Sequence, residues 1–321
     1  MKRRPVCRKV EQWKIYDRIA GSGEYADVDK KFLPSERYDW SLLTEIELFR
    51  NAVKGCEKVL DVGCGMGHTS LYIASEVGSI IGIDKSERMT EIAKNRLKRS
   101  KLENVTFEVG DAENLRFDGK CFDAVILCGS LATFSDRKNA LKEIKRMLKK
   151  DGKVACIEEN WLYHYNHERM SQEEGSFTLT ENDLRYRYVE RSAHPHIEID
   201  YRCVIDPNST LGKKLLSNNE LREDKSLETK MTIDEVEPHC SEIEYDEQEK
   251  FDGETLNSVF TKNGFKDVVV TGYGVMYDLL KSKGLVERLS SYMKELCKAE
   301  AAISESLNPR KTEMLFSTCR L

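Results

Sequence analysis

The stretch Val59-Leu60-Asp61-Val62-Gly63-Cys64-Gly65-Met66-Gly67 determines how the rest of the chain is interpreted. It begins as a short apolar run with β-branched side chains, which is typical of a buried strand. The glycines that follow, with a helical pattern after them, indicate a turn from strand to helix. In such a turn the backbone bends sharply and leaves no side chain between itself and a ligand. The stretch therefore predicts a nucleotide-type site in a doubly wound sheet.

Three details of this loop narrow the class of ligand that we expect it to bind. The dinucleotide pattern Gly-x-Gly-x-x-Gly is not met, because Gly67 follows Met66 directly and His68 stands at the third-glycine position. The loop carries no cation and lacks the Gly-Lys-Ser/Thr ending of phosphate loops. Asp61 would repel a pyrophosphate and attract an ammonium group. We therefore expect a nucleoside-like ligand with a positive end and no phosphate, a description that S-adenosylmethionine meets.

Composition sets the broad class of the protein. A chain of 321 residues with 40% hydrophobic and 33% charged residues can bury a full α/β core and a second small module. We expect no membrane span and no secretory signal, because no apolar run approaches the length of about 20 residues that a bilayer requires. Ten cysteines are scattered singly, which favours a reducing, cytoplasmic location. The three-cysteine spacing of iron–sulfur radical enzymes is absent.

The charged residues are unevenly distributed along the chain. The net charge is −5, and residues 161–250 hold 21 acidic and 11 basic residues. Neutralising the phosphates of a nucleic acid requires a basic surface, which this balance does not provide. We therefore expect that nucleic acid is not a partner.

Strands and helices alternate at a regular pace between residues 41 and 160. The predicted strands of this part are Lys58–Val62, Ser79–Ile83, Val105–Val109, Phe122–Leu127 and Lys153–Glu158. The pattern resumes after residue 252 with a helix, a strand at Val268–Val270 and a final strand at Met314–Cys319. This order predicts an α/β fold with helices on both faces of a parallel sheet.

A segment of different character interrupts the alternation after the fifth strand. It is acidic and holds five of the six histidines. Alternating side chains over Ile197–Ile205 predict a half-buried antiparallel strand, and Leu227–Ile233 is a candidate to pair with it. Residues 206–226 and 240–250 are predicted as loops. The predicted parts of the chain are a lead-in segment (1–40), a ligand-binding domain (41–159 and 252–321) and an inserted lid or subdomain (160–251).

With strands and loops placed, the chain resembles the class I S-adenosylmethionine-dependent methyltransferases over about residues 41–160 and 252–320. The stretch from Val59 to Gly67 is the strongest part of the match. The resemblance implies a Rossmann-like doubly wound sheet whose last strand, Met314–Cys319, is antiparallel, plus an inserted α+β lid or subdomain. It also implies that the protein is an enzyme that uses S-adenosylmethionine as cofactor.

The same resemblance implies roles for the loops at the strand ends. Asp84, 17 residues beyond Gly67, would accept both ribose hydroxyls, and Asp111 would accept from the adenine amino group. Cys128-Gly129-Ser130 would lie under the methionine moiety. The expected cofactor-binding residues are Tyr25, Asp61, Gly63, Cys64, Gly65, Gly67, Asp84, Lys85, Met89, Asp111, Ala112, Glu113, Cys128 and Ser130. Purely structural roles remain open for three of these residues: Asp84 as a helix cap, Met89 as a core residue and Ser130 as a turn residue.

The methyl acceptor is expected to meet the segment that follows the fifth strand. An oxygen or protonated nitrogen nucleophile must lose a proton, and histidine has the pKa for a general base. Our hypothesis assigns this role to His164 or His194, with Trp161, Tyr163 and His196 lining the acceptor pocket. The alternative is that these histidines are surface or packing residues.

The class of acceptor is narrowed by one absence. The fourth strand leads into Leu127-Cys128-Gly129-Ser130 and not into the Asn/Asp-Pro-Pro-Tyr/Phe pattern of enzymes that methylate the amino groups of nucleic-acid bases. A small-molecule acceptor is therefore favoured. The alternatives are a non-methylating use of the cofactor, a protein or tRNA methyltransferase, and a non-catalytic binding protein.

His-x-x-His and His-x-His could begin a metal site, but no partner spacing completes one, so we expect no metal. The oligomeric state stays open.

Overall fold

The protein forms two compact units. The core unit comprises Gln12–Tyr163 and Phe251–Leu321, and the inserted unit comprises Met1–Glu11 and His164–Lys250. In the described part of the chain, no helix is long and apolar enough to cross a membrane. The computed structural model describes residues 7–22, 37–166, 173–181, 183–193, 195–217, 221, 226–307, 309, 312 and 314–321.

The secondary-structure elements are numbered in chain order. The strands are β1 (Cys7–Lys9), β2 (Lys58–Val62), β3 (Ser79–Asp84), β4 (Val105–Val109), β5 (Phe122–Cys128), β6 (Leu148–Glu159), β7 (Glu173–Leu179), β8 (Leu184–Ser192), β9 (Ile197–Ile205), β10 (Ser226–Thr229), β11 (Cys240–Glu249), β12 (Lys266–Tyr273) and β13 (Met314–Arg320). The helices are α1 (Gln12–Gly21), α2 (Arg37–Val53), α3 (His68–Ile73), α4 (Glu87–Ser100), α5 (Arg137–Met147), α6 (Trp161–Asn166), α7 (Thr210–Ser217), α8 (Ile233–Val236), α9 (Gly253–Lys262), α10 (Met276–Ser282), α11 (Val286–Leu289) and α12 (Met293–Ile303).

The core unit is built on a sheet with the described strand order β12-β13-β6-β5-β2-β3-β4. The strands from β2 to β6 are parallel to one another. β13 lies antiparallel between β6 and β12. The predicted doubly wound α/β sheet with an antiparallel last strand is therefore confirmed.

Both faces of this sheet are covered, which explains why its strands are apolar almost throughout. On β5, Val125 belongs to one buried cluster together with Ile144 of α5 and Phe260 of α9. Its neighbour Ile126 points the other way, into a second cluster that contains Phe49 of α2. Successive residues of a strand alternate between faces, so each face needs its own set of apolar side chains.

The inserted unit has a sheet of its own, with the described order β1-β11-β9-β8-β7-β10. Its strand pairs are antiparallel except for β1 and β11, which are parallel. The predicted antiparallel strand is present as β9. The beginning of the predicted lead-in segment belongs to this unit, because β1 pairs along β11, whereas α1 belongs to the core unit.

Three expectations for this insertion were wrong. Residues 206–226 and 240–250 were predicted as loops, but they include α7 and β11. The candidate pairing of Leu227–Ile233 with β9 does not occur. Both edges of β9 are taken by β8 and β11, and β10 pairs with β7 instead.

Cross-strand cations explain how an acid-rich segment becomes the strand β11. Asp246 is 2% exposed and accepts a hydrogen bond from the guanidinium of Arg202 on β9. Lys9 on β1 donates to Glu247 at 3.1 Å. Opposite charges on neighbouring strands offset the low strand propensity of acidic residues, and a single segment of sequence does not reveal these partners.

One buried carboxylate fixes the corner between β12 and α10. Glu300 of α12 is 2% exposed, and its Oε1 accepts from the consecutive backbone N–H groups of Gly274, Val275 and Met276 at 3.1, 2.8 and 2.9 Å. Its Oε2 accepts from the hydroxyl of Thr44 on α2 at 3.1 Å. This one side chain therefore joins α2, α12 and the end of β12.

Replacing this carboxylate tests its structural role. Glu300→Ala leaves one buried and two partly buried N–H groups without their acceptor, so the free energy of unfolding should fall by about 3 kcal/mol. Glu295→Ala removes an exposed carboxylate from the same helix and should change it by less than about 0.5 kcal/mol. Denaturant unfolding of both variants measures the difference. Equal effects would show that Glu300 does not hold the corner.

Candidate functional site

The sheet of the core unit has a topological switch point between β2 and β5. From β2 the chain passes through α3 to β3 on one side, whereas from β5 it passes through α5 to β6 on the other. Neighbouring connections that leave in opposite directions open a crevice at the carboxyl ends of the strands, which is where open α/β sheets bind ligands. The glycine loop after β2 and Cys128-Gly129-Ser130 after β5 both lie at this point.

The glycines of the first loop are required by close approach and by backbone conformation. A Cβ on Gly63 would lie 2.5 Å from the Cβ of Ser130, so the two loops touch across the switch point. A Cβ on Gly67 would lie 2.4 Å from the ring of Phe107. Gly65 has φ +50°, and a Cβ there would meet nothing within 4 Å, so its backbone borders open space. The loop thus presents bare backbone to that space.

Hydrogen bonds to β3 hold this loop in place. The N–H groups of Gly63 and Cys64 donate to the carbonyl of Ile83 at 2.8 and 2.9 Å. The N–H of Gly65 donates to Oδ2 of Asp84 at 2.9 Å. The conformation of the loop and the position of Asp84 are therefore set together.

Asp61 is a buried carboxylate behind the loop. It is 1% exposed, and its Oδ2 accepts from the hydroxyl of Ser70 at 2.6 Å. Its Oδ1 is buried and has no hydrogen-bond partner in the described part of the chain. Burial raises the pKa of Asp61 to about 7, against the lowering effect of Ser70 and with a further increase from Asp84. A cation placed beside Oδ1 would stabilise the charged form.

Asp84 ends β3 and joins the loop to the start of α4. Its Oδ1 accepts from the N–H of Ser86 at 2.9 Å, and the Ser86 hydroxyl accepts from the N–H of Met89 at 3.1 Å, which caps α4. Burial raises the pKa of Asp84, the N–H groups of Ser86 and Gly65 lower it, and Asp17 raises it again. Each Asp84 oxygen keeps a further lone pair that a ligand hydroxyl can use.

Asp17 connects helix α1 to the segment that follows Asp84. Its Oδ1 accepts from the Ser86 hydroxyl at 2.7 Å and from the N–H of Arg88 at 3.1 Å. Trp13 and Tyr16 stand three residues apart on α1, share one face of the helix and line the cavity. Asp17 therefore docks an aromatic wall onto the loop that carries Asp84.

A charged pair lies on the side of the cavity formed after β3 and β4. Lys85 Nζ lies 2.9 Å from Asp111 Oδ2, with about a third of each side chain exposed. Asp111 Oδ1 accepts from the N–H of Glu113 at 2.9 Å, and Glu113 Oε1 accepts from the N–H of Asp136 at 2.8 Å. These bonds fix the loop that contains Asp111, Ala112 and Glu113.

The loop after β5 closes the opposite side. The Ser130 hydroxyl donates to the carbonyl of Val62 at 2.7 Å. The next residue, Leu131, donates its N–H to the buried carboxylate of Glu158 at 2.8 Å. Burial raises the pKa of the Cys128 thiol well above its ordinary value, and the nearby Glu45 carboxylate raises it further, so this thiol is neutral.

These loops and α1 enclose a cavity of about 370 Å³, within the range of small-molecule sites. Lys85 is the single lysine or arginine among its described lining residues, which matches the expected lack of phosphate contacts. The expected cofactor residues that line it are Gly63, Gly65, Asp84, Lys85, Met89, Asp111, Ala112, Glu113, Cys128 and Ser130. The lining residues outside that expected set are Trp13, Tyr16, Met66, Ile83, Gly110, Gly129, Thr133, Phe134 and Ser135.

Other expected site residues lie elsewhere. Asp61 behind the loop, and Cys64 and Gly67 within it, are not among the described lining residues. Tyr25 lies outside the described residues. A helical face with aromatics at Trp13 and Tyr16 was visible in the sequence, but its docking through Asp17 was not.

The described residues that were expected to meet the acceptor are not among those that line this cavity. Trp161 and Tyr163 of α6 are buried, at 0% and 7% exposed, and are not among the described lining residues. His164 and His196 belong to the inserted unit, where His196 Nδ1 contacts the carbonyl of Ala193. His194 lies outside the described residues. The acceptor roles of all five therefore stay predictions.

Comparison with known proteins agrees with this architecture. Residues 54–193 match a family model described as a methyltransferase domain. An uncharacterized methyltransferase of Bacillus subtilis, YcgJ, is 37% identical over 101 residues, or 32% of this chain and 40% of that protein. A demethylmenaquinone methyltransferase of Staphylococcus epidermidis is 41% identical over 111 residues, or 34% of this chain and 45% of that protein. The matched part spans less than half the length of these relatives.

Solved structures extend the likeness of fold over the whole chain. An S-adenosylmethionine-dependent methyltransferase from Clostridium acetobutylicum superimposes with a TM-score of 0.52. The superposition covers 96% of this chain and 99% of that one at 12% identity. At this identity the likeness shows the fold alone.

The raised pKa of Asp61 predicts how stability depends on pH. Between pH 4 and 7 the unfolded chain gives up this proton before the folded protein does, so stability falls as pH rises through the window. Asp61→Asn removes the titrating group. The stability of this variant relative to the wild type should therefore rise between pH 5 and pH 8 by on the order of 3 kcal/mol.

Asp123→Asn is the matched control for this prediction. Burial raises the pKa of Asp123, but the hydrogen bonds from Lys149 and from the N–H of Lys58 lower it overall, so Asp123 titrates below the window. Its stability difference from the wild type should be constant between pH 5 and pH 8. Thermal unfolding of both variants across this range measures the slopes, and a flat difference for Asp61→Asn would refute the raised pKa.

Proposed function

Because residues 54–193 match the model of a methyltransferase domain, we propose that the chain is a class I S-adenosylmethionine-dependent methyltransferase that transfers the cofactor's methyl group to an oxygen or nitrogen atom of a small molecule. The observation that carries the proposal is the buried Asp61 carboxylate behind the glycine loop, whose Oδ1 has no partner in the described part of the chain. Burying such a charge is costly unless a cation compensates it. The α-ammonium group of the cofactor's amino-acid end supplies a cation of the right kind.

The rest of the cavity suits the adenosine end. Asp84 has an acceptor lone pair on each oxygen for the two ribose hydroxyls, because each oxygen receives only one backbone N–H in the described contacts. Trp13, Met89 and Ala112 offer apolar surface for a flat base. Asp111 lies at the edge of this region and can accept from an exocyclic amine once Lys85 moves aside.

Bound S-adenosylmethionine would supply a methyl group on a positively charged sulfur, ready for displacement by a nucleophile. The work of the protein is to align the acceptor with that methyl group and to exclude water. The two loops at the switch point and the aromatic wall of α1 enclose the cavity for this purpose. Proton removal from the acceptor is assigned to His164 or His194, as the sequence predicts.

The small-molecule class of acceptor rests on two supports. A relative matched over 111 residues is named demethylmenaquinone methyltransferase, which acts on a small molecule by its name. The segment of residues 161–250, with 21 acidic and 11 basic residues, would repel a phosphate backbone. Both arguments favour a small acceptor over a nucleic acid.

Two glycine variants test the proposed cofactor site. Gly65→Ala places a methyl group in open space at the loop, so it should fold with a loss of about 1 kcal/mol from backbone strain. Its added methyl group should obstruct the cofactor and weaken S-adenosylhomocysteine binding at least tenfold. Gly67→Ala drives a Cβ against the Phe107 ring and should cost more stability, because the ring must shift. Calorimetric titration and thermal unfolding of both variants measure the two effects.

Turnover tests the reaction itself. The wild-type protein, incubated with S-adenosylmethionine and pools of small-molecule alcohols, phenols and amines, should release S-adenosylhomocysteine in an acceptor-dependent way. Gly65→Ala should release much less with the same pool. A wild-type protein that does not bind S-adenosylhomocysteine would refute the proposed function. Consumption of the cofactor without that product would assign the site to different chemistry.

A further inference from the structure

A carboxylate outside the expected cofactor residues lies directly behind the cavity wall. Glu45 is on α2, and its Oε1 accepts from the hydroxyl of Tyr273 at 2.9 Å. Its Oε2 lies 4.0 Å from the thiol of Cys128, which lines the cavity. The carboxylate therefore stands one side chain away from the space in which the ligand is held.

Tyr273 gives this carboxylate a fixed orientation. The tyrosine is fully buried at the end of β12. Burial raises the pKa of its hydroxyl well above the ordinary value, with Glu45 raising it further, so the hydroxyl is a neutral donor over the physiological range. A donor that keeps its proton fixes Oε1, and the other oxygen of Glu45 is directed toward Cys128.

Asp61 of β2 lies on the same face of the sheet as Cys128, because its register partner is Ile126, two residues before Cys128 on β5. Burial raises the pKa of the Cys128 thiol, and the charges of Glu45 and Asp61 raise it further. Asp61 is 1% exposed, and its Oδ1 has no hydrogen-bond partner in the described part of the chain. This orphaned oxygen is an observation independent of Glu45, and a cation placed beside it would stabilise the charged carboxylate.

We propose that Glu45 is a second carboxylate for the ammonium group of the cofactor's amino-acid end, and that Tyr273 is its positioning residue. The inference rests on the proposed function and extends it. Small Cys128 separates the two carboxylates, so a compact cation at its thiol is attracted by both. The cofactor's charge would then be recognised by residues of two elements, β2 and α2.

Two ligands that differ only at that end isolate the effect. S-adenosylhomocysteine carries the amino-acid end with its ammonium and carboxylate groups, whereas 5′-methylthioadenosine carries the same adenosine and sulfur without either charged group. Glu45→Gln keeps the size of the side chain and an oxygen that accepts from Tyr273. It should raise the Kd of S-adenosylhomocysteine about tenfold or more and that of 5′-methylthioadenosine less than about twofold.

Glu47→Gln is the matched control. Glu47 lies two residues further along α2 and pairs with Arg50 at 2.7 Å. This change should leave the Kd values of both ligands within about twofold of the wild type. Thermal unfolding of each variant establishes that the compared proteins are folded.

Tyr273→Phe tests the positioning role separately. It removes the hydroxyl that orients Glu45 and preserves the aromatic ring in the core. The Kd of S-adenosylhomocysteine should rise several-fold while that of 5′-methylthioadenosine stays the same. A merely structural tyrosine would weaken both ligands together, so the ratio of the two Kd values separates the roles.

The outcomes are distinguishable. Selective weakening of S-adenosylhomocysteine by Glu45→Gln and by Tyr273→Phe supports the proposal. Equal weakening of both ligands, or no change in either, overturns it and leaves the proposed function intact. A wild-type protein that binds neither ligand overturns the proposed function and this inference with it.

Discussion

The buried carboxylate of Asp61, whose charge no cation compensates in the described part of the chain, is the feature on which the proposed ligand binding depends. Asp61 is buried away from water on a strand of the parallel sheet, and it accepts one described hydrogen bond, from the hydroxyl of Ser70. The resulting raised pKa means that the folded protein alone disfavours the charged form. A ligand that brings its own positive charge relieves this cost. Much of the ligand preference therefore follows from one buried side chain.

The sheet topology converts this local imbalance into a binding site. Since the chain reverses its winding between β2 and β5, two loops face each other across an open crevice, and Gly63 and Ser130 meet there. The loop after β2 is tied to Asp84 through the N–H of Gly65. Asp84 is in turn linked through Ser86 to α1. Loop, acid and aromatic wall are thus one connected hydrogen-bonded structure.

The sequence predicts structural features that depend on the local pattern of residues. It does not predict features that depend on contacts with residues far away in the chain. The parallel strands and the loop tips at their ends were predictable, because apolar runs and glycine turns are local features. Trp13 and Tyr16 were not recognised as cavity residues, since α1 is placed by the contact between Asp17 and Ser86. The strand β11 was missed because its acidic residues are compensated by cations on β1 and β9.

The number of protons released when S-adenosylhomocysteine binds is the most direct test of the role of Asp61. At pH 6 an Asp61 with a pKa of about 7 is mostly protonated, so binding of S-adenosylhomocysteine should release most of one proton as the carboxylate becomes charged beside the ammonium group. Calorimetry in buffers of different ionisation enthalpy measures this number. The release should be much smaller at pH 8, where Asp61 is already mostly charged, and should be absent at pH 6 in Asp61→Asn. Binding at pH 6 without proton release would contradict it.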